Sequence, residues 1–263
     1  AHVAGLQAEG ERHLVDGGRF LGIYPVDQVV DGRVGVIDFE MPPNKLQEWL
    51  RDQGITNTDQ VVLWTLRGQA RQFDLRNDLV RAAWAEQIKS AQVRVLVVDC
   101  LGPILSALGA DENGQKDVGP VLDALTSLAV EAGVDEVLLI HHMGHGAERS
   151  RGASRLRDWP DAEWRLVRQK DDDNPFGDPD PAAPRFFAAF GRDVNVREGQ
   201  LVYDHATRRL VYADGNRREA RANLALVFVL TWVRDHPGVT VRGIQDEAAR
   251  RDGLSRDLAR AAI

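Results

Sequence analysis

Arg94-Val-Leu-Val-Val-Asp99 and Val137-Leu-Leu-Ile-His-His142 are the two stretches that decide the fold. Each is a short aliphatic run that closes on polar side chains. A strand buried on both faces of a parallel sheet reads this way, as a near-continuous apolar run without alternation. The polar end marks the carboxyl end of the strand, and open α/β sheets bind ligands along that edge. A stretch of the same form lies upstream, Gly32-Arg-Val-Gly-Val-Ile-Asp-Phe-Glu40, and reads as a strand ending in Glu40.

Working outward, helical patterns alternate with these strands. Residues 2–15 read as a helix ended by Asp16-Gly-Gly18, where glycine supplies a left-handed cap. Pro42–Arg51 reads as a helix with proline at its start. Val61–Leu66 reads as a strand, and Asn77–Ala91 as an amphipathic helix burying Leu79, Val80, Ala83, Trp84 and Ile88. A loop is expected over Leu108–Pro120 and a helix over Val121–Ala132, closed by Gly133. Strand and helix in alternation predict an α/β fold, a parallel sheet with right-handed crossovers flanked by helices.

Beyond the acidic loop Asp171–Pro181, alternating patterns over Pro184–Asp193 and Gln200–Asp214 predict a C-terminal antiparallel hairpin of two or three strands. Residues 216–263 change character. Helices are expected over Arg221–Arg234, Val241–Arg251 and Ser255–Ile263, with His236-Pro-Gly238 between the first two. Helix, turn, helix predicts a small helix-turn-helix or winged-helix module, truncated at its last helix. The domain division expected is therefore 1–215 and 216–263.

Composition bounds the setting. With 263 residues, 43% hydrophobic and 28% charged, the chain has room for one large α/β domain and a small appendage. The single Cys100 excludes a disulfide framework and a cysteine-based zinc site, and fits a reducing, cytoplasmic setting. No apolar run approaches the roughly 20 residues of a membrane helix. The net charge of −7 argues against broad phosphate coating but leaves room for a local basic channel. Ala1 is not an initiator and Leu258–Ile263 stops inside a helical pattern, so the chain reads as a piece of a longer protein.

Four features along the carboxyl edge carry chemistry. Asp99 is placed to hold Mg²⁺ through water, as an acid at a strand end does in phosphate-binding α/β folds, or simply to cap the following loop. Glu40 is placed to orient an attacking water, or to favour the start of the next helix. His141 and His142 end the last strand, with His145 close behind. Adjacent strand residues point to opposite faces, so both histidines facing one ion is disfavoured; His142 is the better sensor of a bound phosphate, or either histidine is simply a buried hydrogen-bonded residue. Arg149, Arg151, Arg155 and Arg157 crowd one glycine-broken loop and are able to clamp phosphates bidentately, or to stand as a solvated charged loop. In this order on successive strands, the four features have the layout of a nucleoside triphosphatase core.

At these residues the chain resembles the RepA-type hexameric replicative helicases of plasmids and phages, which have the RecA fold, and most of all the helicase half of actinobacteriophage primase-helicases. The resemblance covers roughly residues 14–215. It is carried by Gly35-Val-Ile-Asp-Phe-Glu-Met-Pro42, Arg94-Val-Leu-Val-Val-Asp-Cys-Leu101, Leu139-Ile-His-His142, Ser150-Arg-Gly-Ala-Ser154 and Pro184-Arg-Phe-Phe-Ala-Ala-Phe-Gly191. It implies ATP and Mg²⁺ as cofactors, Glu40 as catalytic carboxylate, Asp99 as the Walker B acid and His142 as sensor with His141 beside it. It also implies Arg151 as an arginine finger reaching into a neighbouring subunit, with Arg192 as a second candidate. Arg149, Arg155 and Arg157 would face single-stranded DNA in the channel of a hexameric ring, with a primase domain upstream. The loop Leu108–Pro120 falls where that fold also lines its channel, but is acidic through Asp111, Glu112 and Asp117. The chain departs from the family in carrying no G-x-x-x-x-G-K-[ST] loop to cradle phosphate. The expectation is that this loop lies upstream of Ala1. Two other readings remain: a nucleotide-dead RecA-like assembly or DNA-binding factor, and a metal-dependent hydrolase using His141, His142, His145 and Asp99.

Overall fold

The computed structural model describes residues 3–29, 31–142, 155–168, 183–204, 209–213, 215–251 and 254–263. The chain divides into two compact units, residues 1–161 with 204–210, and residues 162–203 with 211–263.

The first unit opens with α1 (Val3–Asp16) and a short antiparallel pair, β1 (Gly18–Phe20) and β2 (Tyr24–Val26). The central sheet follows: β3 (Arg33–Asp38), β4 (Val61–Thr65), β5 (Val93–Asp99) and β6 (Glu136–Ile140). Its strand order is β4-β3-β5-β6 and every pairing is parallel. The crossovers are α2 (Pro43–Asp52), α3 (Asp78–Ser90), and α4 (Leu101–Ala107) with α5 (Gln115–Ala132). A short α6 (Arg155–Asp158) closes the unit. The mixed α/β architecture, a parallel sheet flanked by helices, is that of a RecA-like fold.

The apolar runs do what a sheet covered on both faces requires. Ile37, Leu96 and Val98 enter one core with Phe73, Ile88, Leu122 and Leu128. Their neighbours Val34, Val36, Val95 and Val97 pack with Val15 on the other. Gly35 sits where a Cβ would come within 2.9 Å of Val93 and 3.0 Å of the Trp64 ring, so only glycine lets the strands close there. Asn77 caps α3, accepting from the amides of Leu79 and Val80, and Gly133 ends α5 with φ 73°.

Several elements differ from expectation. β3 ends at Asp38, so Glu40 lies two residues beyond the strand. Leu79 and Ala83 are exposed rather than buried, because they stand one turn apart on the outer face of α3, and Ala85 is buried with Trp84 and Ile88 instead. The expected loop Leu108–Pro120 is shorter: α5 begins at Gln115 and takes Pro120 inside it. Asp117 therefore lies in the first turn of a helix, where its Oδ2 accepts from the Asp111 amide at 2.8 Å.

Further along the chain comes an antiparallel sheet, β7 (Ala162–Arg168), β8 (Arg185–Gly191), β9 (Asn195–Asp204) and β10 (Arg209–Ala213), in the order β10-β9-β8-β7. Its four strands exceed the two or three expected, and β7 is the addition. Gly199 lies under the Tyr212 ring, whose hydroxyl donates to the Arg197 carbonyl at 2.8 Å. Then come α7 (Arg217–Asp235), α8 (Val241–Ala248) and α9 (Arg256–Ala262). They share a small core of Ala225, Phe228, Val229, Ile244, Ala248, Leu254 and Ala259. Each begins with a side-chain cap: Asn216 with Glu219 in a reciprocal box, Thr240, and Ser255. An Arg256–Asp246 ion pair of 2.7 Å ties α9 to α8. Among the described residues, no helix is long and apolar enough to cross a membrane.

Candidate active site

The carboxyl edge of the parallel sheet gathers the ionisable groups, and the strand register explains how. Asp38 pairs with Asp99, and Asp99 with Ile140, so β3, β5 and β6 end level with β5 in the middle. Glu40 lies two residues past the end of β3 and His142 two past the end of β6. Their side chains meet over the end of β5: His142 Nε2 is 3.2 Å from Glu40 Oε2. Cys100 follows Asp99 through a cis peptide, is fully buried, and is the N-cap residue of α4.

The turn after β3 is fixed from below. Phe39 is buried and packs edge-on to Phe73, which packs edge-on to Trp84. The Asp38 carboxylate accepts from the amides of Glu40 (3.0 Å) and Met41 (2.6 Å). With Phe39 held inward, Glu40 turns outward and stays exposed. Asp38 is thus a positioning residue for Glu40. Sequence patterning does not single it out, because Asp38 sits inside the run rather than at its visible end.

Burial and like charge dominate the electrostatics. Asp99 is pushed up to about 7, first by desolvation, then by the negative charges of Asp38 and Glu40, with His142 pulling the other way. Desolvation also raises Asp38, against the two amides that favour its charge. Its Oδ2 is buried with no hydrogen-bond partner among the described residues. The Cys100 thiol is driven well above its ordinary value by burial and by the carboxylates of Glu40 and Asp99. An edge with three crowded carboxylates has the hard oxygen donors that Mg²⁺ prefers, and their mutual repulsion is what a dication relieves.

The two histidines separate. His141 Nε2 lies 3.4 Å from Glu112 Oε1, on the short loop before α5, while His142 faces Glu40. A second donor set is mixed: the ligand atoms of Glu40, Cys100 and His142 lie within 4.8 Å of one another. A count of cysteines excludes a zinc site made of them alone, but it does not bear on a site with one sulfur.

Of the arginines, Arg149 and Arg151 lie outside the described residues, as does His145. Arg155 is in α6 and pairs with Asp123 of α5 at 2.6 Å, beside the Trp159 indole N–H, which donates to Thr126 Oγ1 at 2.9 Å. Arg157 is exposed on the same short helix. Arg192 is exposed in the turn between β8 and β9, in the second unit.

A parallel sheet in the order β4-β3-β5-β6, with acids at the ends of its two central strands, defines the class: a mixed α/β protein of RecA-like architecture. The chain belongs to the AAA domain family, whose model matches residues 11–148. That span runs from α1 past His142 and contains every group at the sheet edge. Membership supports nucleoside triphosphatase activity and nucleotide binding in general. No curated protein matches the chain.

Proposed function

We propose that this chain is the core of an ATP-hydrolysing DNA helicase or translocase from a phage or plasmid replication protein. The observation that carries the reading is the Glu40–His142 contact of 3.2 Å over the end of the Asp99 strand. It puts a carboxylate able to accept a proton from water, a group able to register a neighbouring phosphate, and a metal-binding acid on one edge.

In this reading Glu40 orients and deprotonates the attacking water. His142 holds Glu40 in place in the resting state and releases it when its ring turns to the terminal phosphate. Asp99 would hold Mg²⁺, and the ion, when bound, would supply positive charge to offset charge developing on the transferred phosphoryl group. Asp38 fixes the turn from which Glu40 projects. Arg151, or failing it Arg192, reaches a neighbouring subunit of a ring, and Arg149, Arg155 and Arg157 contact single-stranded DNA. The helices of residues 216–263 form a DNA-binding or assembly module.

The test is an ATPase assay of the full-length gene product, with and without single-stranded DNA. The wild-type protein is expected to turn over faster with DNA. Glu40→Gln is expected to lose turnover by at least about 100-fold, the lower end for a positioned general base, while still binding nucleotide. Unchanged turnover in Glu40→Gln would remove Glu40 from the mechanism.

A further inference from the structure

Glu40, Cys100 and His142 offer one oxygen, one sulfur and one nitrogen donor, and they do so from three separate elements. Glu40 stands on the turn after β3, Cys100 at the start of α4, and His142 just past β6. The donor atoms lie within 4.8 Å of one another, and the His142–Glu40 pair is already at 3.2 Å. A tetrahedral zinc ion, with bonds of about 2.0–2.3 Å, needs its donors roughly 3.3–3.6 Å apart. The adjustment required falls on His142 and Glu40, whose side chains are 53% and 45% exposed and able to move. Cys100 is fully buried and stays put.

We infer that these three residues form a site for Zn²⁺, with the fourth position open to water, and that an ion there ties down Glu40. The half concerning Glu40 rests on its role in hydrolysis as proposed above.

Donor chemistry sets the choice of ion. Mg²⁺ and Ca²⁺ take oxygen, whereas imidazole and thiolate favour zinc and its neighbours in the transition series. Binding replaces the S–H bond of Cys100 with an S–Zn bond and releases the thiol proton to solvent. The crowded negative charge of Glu40, Asp99 and Asp38 favours a dication at this edge, while burial and those same carboxylates hold the thiol proton on Cys100 until the ion enters. The zinc site and the proposed Mg²⁺ position share the sheet edge but not their ligands. Mg²⁺ is assigned to Asp99, and zinc to the three groups beside it. Zinc would therefore act as an inhibitor that leaves Asp99 free and removes the water-activating carboxylate.

The experiment is a titration of the whole 263-residue chain with Co²⁺, then Zn²⁺, followed by absorption. The expected result is the strong visible bands of a tetrahedral cobalt site together with a near-ultraviolet thiolate-to-cobalt band, both erased by one equivalent of Zn²⁺. Cys100→Ser should lose the thiolate band and bind Zn²⁺ at least about 10-fold more weakly, the least that even outer-shell changes cost at zinc sites. Serine is a favourable N-cap, so this variant should keep its helical circular dichroism. His142→Asn provides a second, solvent-exposed ligand deletion with the same expected loss of affinity. A cobalt spectrum without a thiolate band, or wild-type Zn²⁺ affinity in Cys100→Ser, overturns the site. These readouts need no turnover, so they stand if the ATPase reading fails. In full-length protein, zinc should suppress Mg²⁺-dependent hydrolysis, and Cys100→Ser should blunt that suppression relative to its own zinc-free rate. Spectroscopic binding without such suppression would overturn the inhibitory role alone.

Discussion

Asp99 carries the clearest consequence at the scale of single residues. Its carboxyl is held at about 7, against an ordinary 3.8. Between those values the folded chain keeps a proton that the unfolded chain has released. Stability from this group is therefore full below about pH 4 and is lost as pH rises through 7. Asp38 is shifted in the same direction. Asp99→Asn should flatten the dependence of unfolding free energy on pH between 5 and 8. It should stabilise the protein at pH 8 by up to on the order of 4 kcal/mol, while abolishing hydrolysis by the full-length protein. Urea unfolding at the two pH values checks this, and equal stability of variant and wild type at pH 8 would contradict it. At this scale the sequence displays Glu40, Asp99 and His142, because each follows an aliphatic run and polar residues at run ends are conspicuous. It hides Asp38 and Cys100. Asp38 acts by accepting two backbone amides, and Cys100 by standing under a contact between groups 102 residues apart. Neither fact leaves a trace in local composition.

At the scale of elements, the parallel strands are legible and some of their connections are not. Leu101-Gly-Pro103 looks like a breaker, yet Pro103 occupies the first turn of α4, where a missing amide costs no internal hydrogen bond. Pro120 misleads for another reason: it lies inside α5, past the first turn that begins at Gln115, where proline is disfavoured and a sequence reading places a helix start instead. β7 alternates apolar and polar residues only over Ala162–Leu166 and is separated in sequence from its partner β8 by residues 169–184, so no adjacent turn signal marks it as half of a hairpin. The antiparallel sheet offers a test of packing. A Cβ on Gly199 would collide with the Tyr212 ring, so Gly199→Ala should destabilise by about 1–3 kcal/mol, the usual range for overpacking. In a Tyr212→Ala background the same change should cost less, since the colliding ring is gone. Equal costs in the two backgrounds, measured by thermal unfolding, would show that the ring is not the obstacle. In the helical module, Arg251 lies 4.9 Å from the centres of both the Phe228 and Trp232 rings, joining the end of α8 to α7.

For the whole molecule, the proposal of a DNA-stimulated ring makes two demands. Binding of single-stranded DNA by full-length protein should weaken steeply with salt, as arginine-to-phosphate contacts release counterions. A flat response would count against Arg149, Arg155 and Arg157 as channel contacts, whatever their other roles. Assembly should also be visible in mixtures. Arg151→Ala and Glu40→Gln, each inactive alone, should regain some turnover together if a finger from one subunit serves the site of the next, an effect worth about 10³–10⁵ where fingers have been measured. A mixture as inactive as its parts would shift attention to Arg192.

The strand order also fixes when this protein can become itself. β3, the first strand of the parallel sheet along these 263 residues, lies between β4 and β5, and Asp38 meets Asp99 only after β5 exists. Until the ribosome has released Val93–Asp99, the fully buried Val34, Val36 and Ile37 have at most one neighbouring strand. The growing chain thus carries an open, sticky strand edge through the synthesis of the whole segment between them. Arrested nascent chains released only as far as Gln92 should be protease-sensitive and held by chaperones, whereas chains released through His142 should be protected. The acids of the sheet edge are joined late, so a half-made copy has neither a completed parallel sheet nor the Asp38–Asp99 pair at its edge.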